Sequence, residues 1–160
     1  MELARIAAPS GSLQAALAAP RHEGPRPAII LIHEVMGLNA DMRAKAERFA
    51  QMGYVALAPD LFSTRGPMPL CIIRTVRGLK DGEGPVFDDL EACRQWLAAR
   101  PEVDATRIGV VGFCLGGGIA LLFAVPFALV ALSATARADD PPIDPLVRVT
   151  VLMLKHPGVD

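Results

Sequence analysis

The chain has 160 residues, which is enough for one domain with a hydrophobic core but too few for two. Hydrophobic residues make up 52% of the chain and charged residues 21%. The formal net charge is −1, so the chain lacks the basic excess that nucleic-acid binding requires. Composition therefore favours a single domain over residues 1–160 and argues against a nucleic-acid partner.

The cysteines are few and widely spaced. Cys71, Cys93 and Cys114 are an odd number without the close spacing of zinc ligands. They predict neither a disulfide framework nor a metal site, and they fit a reducing, cytoplasmic environment. The N-terminal residues 1–14 lack the long apolar core of a signal peptide.

The first part of the chain predicts a hairpin, a buried strand and a helix, in that order. Two short apolar runs on either side of the letters SGS are typical of a β-hairpin. The segment Ala28–His33 is almost wholly apolar, as in a strand that is buried on both faces of a parallel sheet. Residues 40–54 then carry a helical pattern, with Asn39 as the N-cap and Gly53 as the residue that ends the helix.

The alternation of strands and helices continues. Tyr54–Pro59 is the next predicted strand, and a loop rich in proline, glycine and arginine follows from Asp60 to Gly84. Residues 85–100 repeat apolar side chains at helical spacing and carry acidic residues in the first turns, where the helix dipole favours them. The letters RIGVVG, residues 107–112, predict a third buried strand. This order indicates an α/β domain with a mainly parallel sheet.

An uncharged run extends from Ile108 to Ala136 and allows three interpretations. It is long enough for a membrane-spanning helix, but five glycines crowd its first half and Pro126 interrupts its second. A phosphate-binding loop would need GxxxxGK[ST] or GxGxxG, and neither pattern occurs there. The third interpretation, which we favour, is a strand, a sharp turn and a buried helix in series.

The turn in that series has the pattern of a nucleophile elbow. Gly112-Phe113-Cys114-Leu115-Gly116 matches GxSxG with cysteine in place of serine. The central residue of such a turn has strained backbone angles, and larger residues two positions away would collide as the strand reverses into the helix. Cys114 would be exposed above a helix N-terminus, which favours a thiolate, and the Leu115 N–H would stabilise an oxyanion. A buried, inert cysteine is the alternative.

Three passages together resemble the dienelactone hydrolase family of α/β-hydrolases: PAIILIHEVMGLNADMRAKAERFAQMGYVALAPDLF, FDDLEACRQWLAARPEVDATRIGVV and GFCLGGGIALL. The resemblance covers residues 3–122 and implies hydrolysis of a lactone or ester by a cysteine, with no metal and no organic cofactor. By this resemblance Cys114 is the nucleophile, and Glu34 is the carboxylate that holds the resting thiol and helps deprotonate it. The backbone N–H groups of Val35 and Leu115 correspond to the oxyanion hole.

Glu34 is also a candidate active-site residue on grounds that do not depend on the resemblance. It directly follows a strand that is predicted to be buried, which is a costly place for an unpaired carboxylate. The carboxyl ends of parallel strands are also where α/β proteins place their active sites. The alternative is a loop residue that pairs with an arginine. His33 is interpreted as a hydrogen-bonded histidine at the strand end and not as the catalytic base.

Two arginines in the long loop are candidates for substrate binding. Arg74 and Arg77 lie in the letters CIIRTVRGLK. The resemblance implies an anionic dienelactone as substrate, and a guanidinium group would bind its carboxylate. A solvated loop arginine is the alternative for each.

The C-terminal residues 123–160 depart from the family pattern. Hydrolases of this type place the acid and then the histidine after the nucleophile, but only 46 residues follow Cys114. Asp140, or Asp139, is the candidate acid, whereas His156 precedes the last turn and would point away from the site. We therefore expect an α/β-hydrolase-like three-layer sandwich with a shortened tail, and slow deacylation if no histidine serves as the base.

The sequence thus predicts a hydrolase of small-molecule esters or lactones that acts through Cys114, with no membrane partner, as a monomer or homodimer. One alternative is a catalytically impaired hydrolase-like domain that binds a small ligand or a protein partner. A membrane-associated protein is a third hypothesis.

Overall fold

The computed structural model describes residues 1–21, 24–63 and 84–124. Within these residues the chain forms one sheet and three helices. The elements in chain order are β1 (Glu2–Ala8), β2 (Gly11–Ala18), β3 (Arg26–Ile32), α1 (Ala40–Gln51), β4 (Val55–Pro59), α2 (Pro85–Ala98), β5 (Val103–Gly112) and α3 (residues 115–124).

The sheet is mixed, and its strand order is β1-β2-β4-β3-β5. Strands β1 and β2 form the predicted hairpin, and β2 also pairs antiparallel with β4. Strand β3 lies between β4 and β5 and is parallel to both. The carboxyl ends of these three strands therefore meet at one edge of the sheet, where an α/β fold places its active site.

Strand β3 contributes to two hydrophobic cores, one on each face of the sheet. Its residues Ile30 and Ile32 belong to the core that also contains residues of α2 and α3, such as Leu90. The alternate residues Ile29 and Leu31 belong to the second core, which contains residues of α1. Helices thus cover both faces of the sheet, in three layers. A strand in this position must be apolar on both sides, which explains the continuous apolar run in the sequence.

Helix α1 begins and ends as the sequence predicts. The side chain of Asn39 accepts a hydrogen bond from the Met42 N–H, so it satisfies one of the first amides of the helix. Gly53 follows the helix with a φ of 95°, a left-handed conformation that glycine adopts without strain. Its N–H donates to the Ala50 carbonyl at 3.0 Å and closes the end of the helix.

Strand β5 begins at Val103, four residues before the strand that the letters RIGVVG predict. The extension arises because Arg26 pairs with Val103 and donates its N–H to the Glu102 carbonyl. A shift of register between Arg26 and Ala28 separates this pair from the main ladder. The extension contains the polar residues Asp104 and Thr106, so its sequence lacks the apolar run that marks a buried strand.

The described part of the uncharged run, residues 108–124, is strand up to Gly112 and helix from residue 115. The interpretation as a strand and a helix in series is confirmed for these residues. Among the helices of the described residues, none is long and apolar enough to cross a membrane.

Candidate active site

The turn after β5 has the backbone geometry of a nucleophile elbow. The Phe113 N–H still donates to the Ile32 carbonyl of the neighbouring strand, at 3.0 Å. The next residue, Cys114, has a φ of 52°, and it is the one residue other than glycine with a positive φ in the described part of the chain. A non-glycine residue in this region is strained and must be held there by its surroundings. The turn leads directly into α3 and leaves Cys114 exposed.

Two glycines make this turn sterically possible. A Cβ atom on Gly112 would overlap the backbone carbonyl of Gly116. A Cβ atom on Gly116 would overlap the Ile32 carbonyl and lie 2.7 Å from the carbonyl oxygen of His33. Both positions must therefore be small, as the pattern around Cys114 predicts, and the first turn of α3 packs directly against the end of β3.

Glu34 and Cys114 follow the ends of two neighbouring parallel strands, β3 and β5. Ile32 at the end of β3 pairs with Gly112 at the end of β5. Glu34 and Cys114 each lie two residues beyond this pair, and neighbouring strands are about 4.8 Å apart. Glu34 is partly exposed, so its carboxylate is accessible from the same edge of the sheet as the thiol.

The two amides that the resemblance assigns to an oxyanion hole also lie at this edge. Leu115 is the first residue of α3, and the first N–H groups of a helix have no acceptor within it. The Val35 N–H belongs to the same peptide group as the Glu34 carbonyl. That carbonyl accepts a hydrogen bond from the Gly37 N–H at 3.2 Å. The two amides come from chain segments that Gly116 holds in contact.

His33 is buried beneath this loop, and both of its ring nitrogens are hydrogen-bonded. Its Nδ1 lies 2.6 Å from the carbonyl oxygen of Glu34, and the Leu61 N–H donates to its Nε2 at 3.0 Å. Because the carbonyl only accepts and the amide only donates, the ring is neutral with its proton on Nδ1. Burial lowers the pKa of His33, although the hydrogen bond to Glu34 opposes the shift. His33 is the hydrogen-bonded strand-end histidine that the sequence indicates.

Asp60, which is not among the site residues predicted from the sequence, lies at the same edge. It follows β4, and its side chain accepts a hydrogen bond from the Phe62 N–H at 3.1 Å. One of its carboxylate oxygens lies 3.8 Å from His33 Nε2. Like Glu34, Asp60 is a carboxylate directly after a buried strand, and this position in the sequence is the signal that identifies it.

Three predicted site residues lie outside the described part of the chain. They are the candidate acid Asp140 and the two loop arginines, Arg74 and Arg77. Their roles stay predictions. The other predicted site residues all lie in the segments that follow β3 and β5, at the carboxyl-end edge of the sheet: Glu34, Val35, Cys114 and Leu115.

An exposed cysteine in a left-handed turn, between two closely packed glycines and at the start of a helix, has the backbone geometry of the nucleophile elbow found in α/β-hydrolases. The model of the dienelactone hydrolase family matches residues 13–146. The chain belongs to the dienelactone hydrolase family.

Individual relatives agree with this assignment. A Synechocystis protein, provisionally named a carboxymethylenebutenolidase, is 36% identical over 82% of this chain and 56% of its own length. A Bradyrhizobium protein, provisionally named a 2-oxo-3-(5-oxofuran-2-ylidene)propanoate lactonase, is 33% identical over 89% of this chain and 62% of its own. The crystal structure of a protein from Klebsiella pneumoniae, provisionally described as a dienelactone hydrolase, is 32% identical with a TM-score of 0.66. That match covers 77% of this chain and 53% of the other. The chain thus spans between half and two thirds of the length of these three proteins.

Proposed function

We propose that this chain hydrolyses a small-molecule ester or lactone, with Cys114 as the nucleophile. The observation that carries the proposal is the exposed Cys114 with a φ of 52° at the start of a helix. The strain of that conformation is tolerated only where the fold enforces it, and such strain is concentrated at functional sites. Membership of the dienelactone hydrolase family supports the same chemistry, as do the relatives that are provisionally named as a carboxymethylenebutenolidase and a lactonase.

In the proposed reaction Glu34 takes the proton of the Cys114 thiol. The thiolate attacks the carbonyl carbon of the substrate, and the electron pair of the carbonyl bond moves to oxygen. The N–H groups of Val35 and Leu115 donate to this oxyanion. When the tetrahedral intermediate collapses, the bond to the leaving oxygen breaks and that oxygen takes the proton that Glu34 received from the thiol. An acyl thioester on Cys114 results, which water then hydrolyses.

The proposal extends to residues outside the described part of the chain. Asp140 is the proposed acid, and Arg74 and Arg77 are the proposed ligands of a substrate carboxylate, since a guanidinium group matches a carboxylate in shape and charge. The substrate class follows from the nucleophile and from the relatives, one of which is named as a lactonase. Formation of the acyl thioester needs only Cys114, Glu34 and the two amides, so it is the step to test first.

The test is intact-mass spectrometry of the protein during reaction with p-nitrophenyl acetate, together with the release of p-nitrophenol. The variants are Cys114→Ala and, as the matched control, Cys93→Ala, because Cys93 is a buried thiol of the same chain. We expect a single acetyl group, or turnover without accumulation, in the wild type and in Cys93→Ala but not in Cys114→Ala.

The two positive outcomes report on different steps. Accumulation of the acetyl-enzyme indicates that deacylation is slow, whereas rapid release of p-nitrophenol without accumulation indicates that a base for water is in place. An unlabelled wild-type protein without turnover contradicts the proposal and favours a hydrolase-like domain that only binds a ligand or a partner.

A further inference from the structure

His33 donates a hydrogen bond to the peptide group that carries the proposed oxyanion donor. Its Nδ1–H bonds the carbonyl oxygen of Glu34 at 2.6 Å, and the N–H of that same peptide group is the Val35 N–H. Peptide bonds in the described part of the chain are trans, and a trans peptide group is planar with its C=O and N–H in opposite directions. A bond that fixes the carbonyl therefore fixes the direction of the amide.

The other side of the ring is anchored as firmly. The Leu61 N–H donates to Nε2 at 3.0 Å, and this bond is buried. The ring of Phe62 contacts the imidazole edge to face, with 4.7 Å between the ring centroids. Only 2% of His33 is exposed, so the imidazole is enclosed by protein atoms. The side chain links the turn after β4 to the peptide group after β3.

We propose that His33 is a positioning residue for catalysis, which aims and polarises the Val35 N–H through its bond to the Glu34 carbonyl. This inference rests on the proposed function. A hydrogen bond to the oxygen of an amide increases the polarity of its N–H, so the effect on the oxyanion goes beyond orientation. His33 touches neither the substrate nor Cys114 in this role.

Two substitutions separate the bonds of the imidazole. The side-chain amide of His33→Asn lies where Nδ1 does, so it keeps a donor for the Glu34 carbonyl and loses the acceptor for Leu61. The amide of His33→Gln lies where Nε2 does, so it keeps the acceptor for Leu61 and loses the donor for Glu34. Both variants are polar and both remove one buried hydrogen bond, which makes each the control for the other.

The test compares two reactions of Cys114 in the folded wild type and in both variants. Acylation by p-nitrophenyl acetate passes through an oxyanion, whereas alkylation by iodoacetamide does not. Loss of a whole oxyanion donor lowers rates by about 10²–10³, so a donor that is only misaligned should lower acylation by about tenfold. We expect that loss in His33→Gln, a much smaller loss in His33→Asn, and alkylation rates close to wild type in both.

A second measurement does not depend on activity. The ¹⁵N chemical shift of Val35 reports hydrogen bonding at the carbonyl of its own peptide group. We expect it to move upfield in His33→Gln and to stay near the wild-type value in His33→Asn. If this shift does not distinguish the variants, or if acylation and alkylation fall together, the positioning role is refuted. If wild-type Cys114 is not acylated at all, the proposed function fails, and the Val35 shift still decides whether His33 holds the peptide group.

Discussion

Cys93 and Cys114 are the two cysteines of the described residues, and their surroundings differ in almost every respect. Cys93 lies in α2 within the larger hydrophobic core, and its exposed fraction is 0%. Burial, together with the nearby Asp89, raises the pKa of its thiol to about 12. Cys114 lies in a strained turn at the edge of the sheet, exposed and at the start of a helix. The same type of side chain is thus an unreactive part of the core at position 93 and a candidate nucleophile at position 114.

The comparison shows that the two regions place different requirements on the amino-acid sequence. Around Cys93 the fold needs apolar volume, so aliphatic residues of similar size would serve. Around Cys114 the fold needs particular backbone conformations and the absence of side chains, because the carbonyls of Ile32 and His33 lie against Gly116. We therefore expect changes near Cys93 to act on stability and changes near Cys114 to act on reactivity.

The largest expected effect is the difference in reactivity between the two thiols. With a pKa of about 12, Cys93 at pH 8 holds on the order of 10³ times less thiolate than a free cysteine of ordinary pKa. Iodoacetamide should therefore modify Cys114 in the folded protein and Cys93 only after unfolding in guanidinium chloride. Peptide mapping of timed samples measures both rates. If Cys93 is modified in the folded protein at a rate close to that of Cys114, the expected difference in reactivity between the two thiols is refuted.

The next effect in size concerns two adjacent glycines. Gly116→Ala places a Cβ atom against the carbonyls of Ile32 and His33, so we expect a loss of about 3 kcal/mol or more in the free energy of unfolding. Gly117→Ala is the matched control, because its Cβ would lie 3.6 Å from the Gly112 carbonyl oxygen, an ordinary contact. Alanine also favours the helix there by about 1 kcal/mol. Urea unfolding of both variants tests this, and equal stability would show that the close approach is not required.

Much of this architecture can be predicted from the sequence, because the dominant signals are local. The apolar run at Ala28 to Ile32, the Asn39 cap and the glycine pattern around Cys114 each follow from physical requirements of a few adjacent residues. The additional residues of β5 could not be predicted, since they depend on Arg26, far away in the chain. The two hydrogen bonds of the His33 ring could not be predicted either, because one of the partners, Leu61, lies 28 residues further along the chain.

A smaller effect is expected at a polar contact next to the core that contains Cys93. Ser10, in the turn between β1 and β2, donates to the buried carboxylate of Asp89 through its N–H at 3.1 Å and its hydroxyl at 2.7 Å. Ser10→Ala removes the second bond, and we expect a loss of about 2 kcal/mol because the acceptor is a carboxylate. The exposed Ser12 provides the control variant Ser12→Ala, which should lie within about 0.5 kcal/mol of wild type. Alkylation of Cys114 should be unchanged in both variants, and a slower rate would link the two regions.

The smallest expected effect is a dependence of the free energy of unfolding on pH, which arises from His33 at the edge of the sheet near Cys114. Burial lowers the pKa of His33 below its ordinary value near 6.5, so as pH falls the unfolded chain takes up a proton before the folded protein does. The free energy of unfolding should therefore decrease as pH falls below about 6.5. Glu91, whose pKa is lowered by hydrogen bonds from Arg94, begins to lose its contribution only as pH falls below its ordinary value of about 4.5. Thermal unfolding between pH 8 and 5 should show the decrease in wild type and a flatter curve in His33→Asn. An equally steep curve in that variant would assign the dependence to other groups.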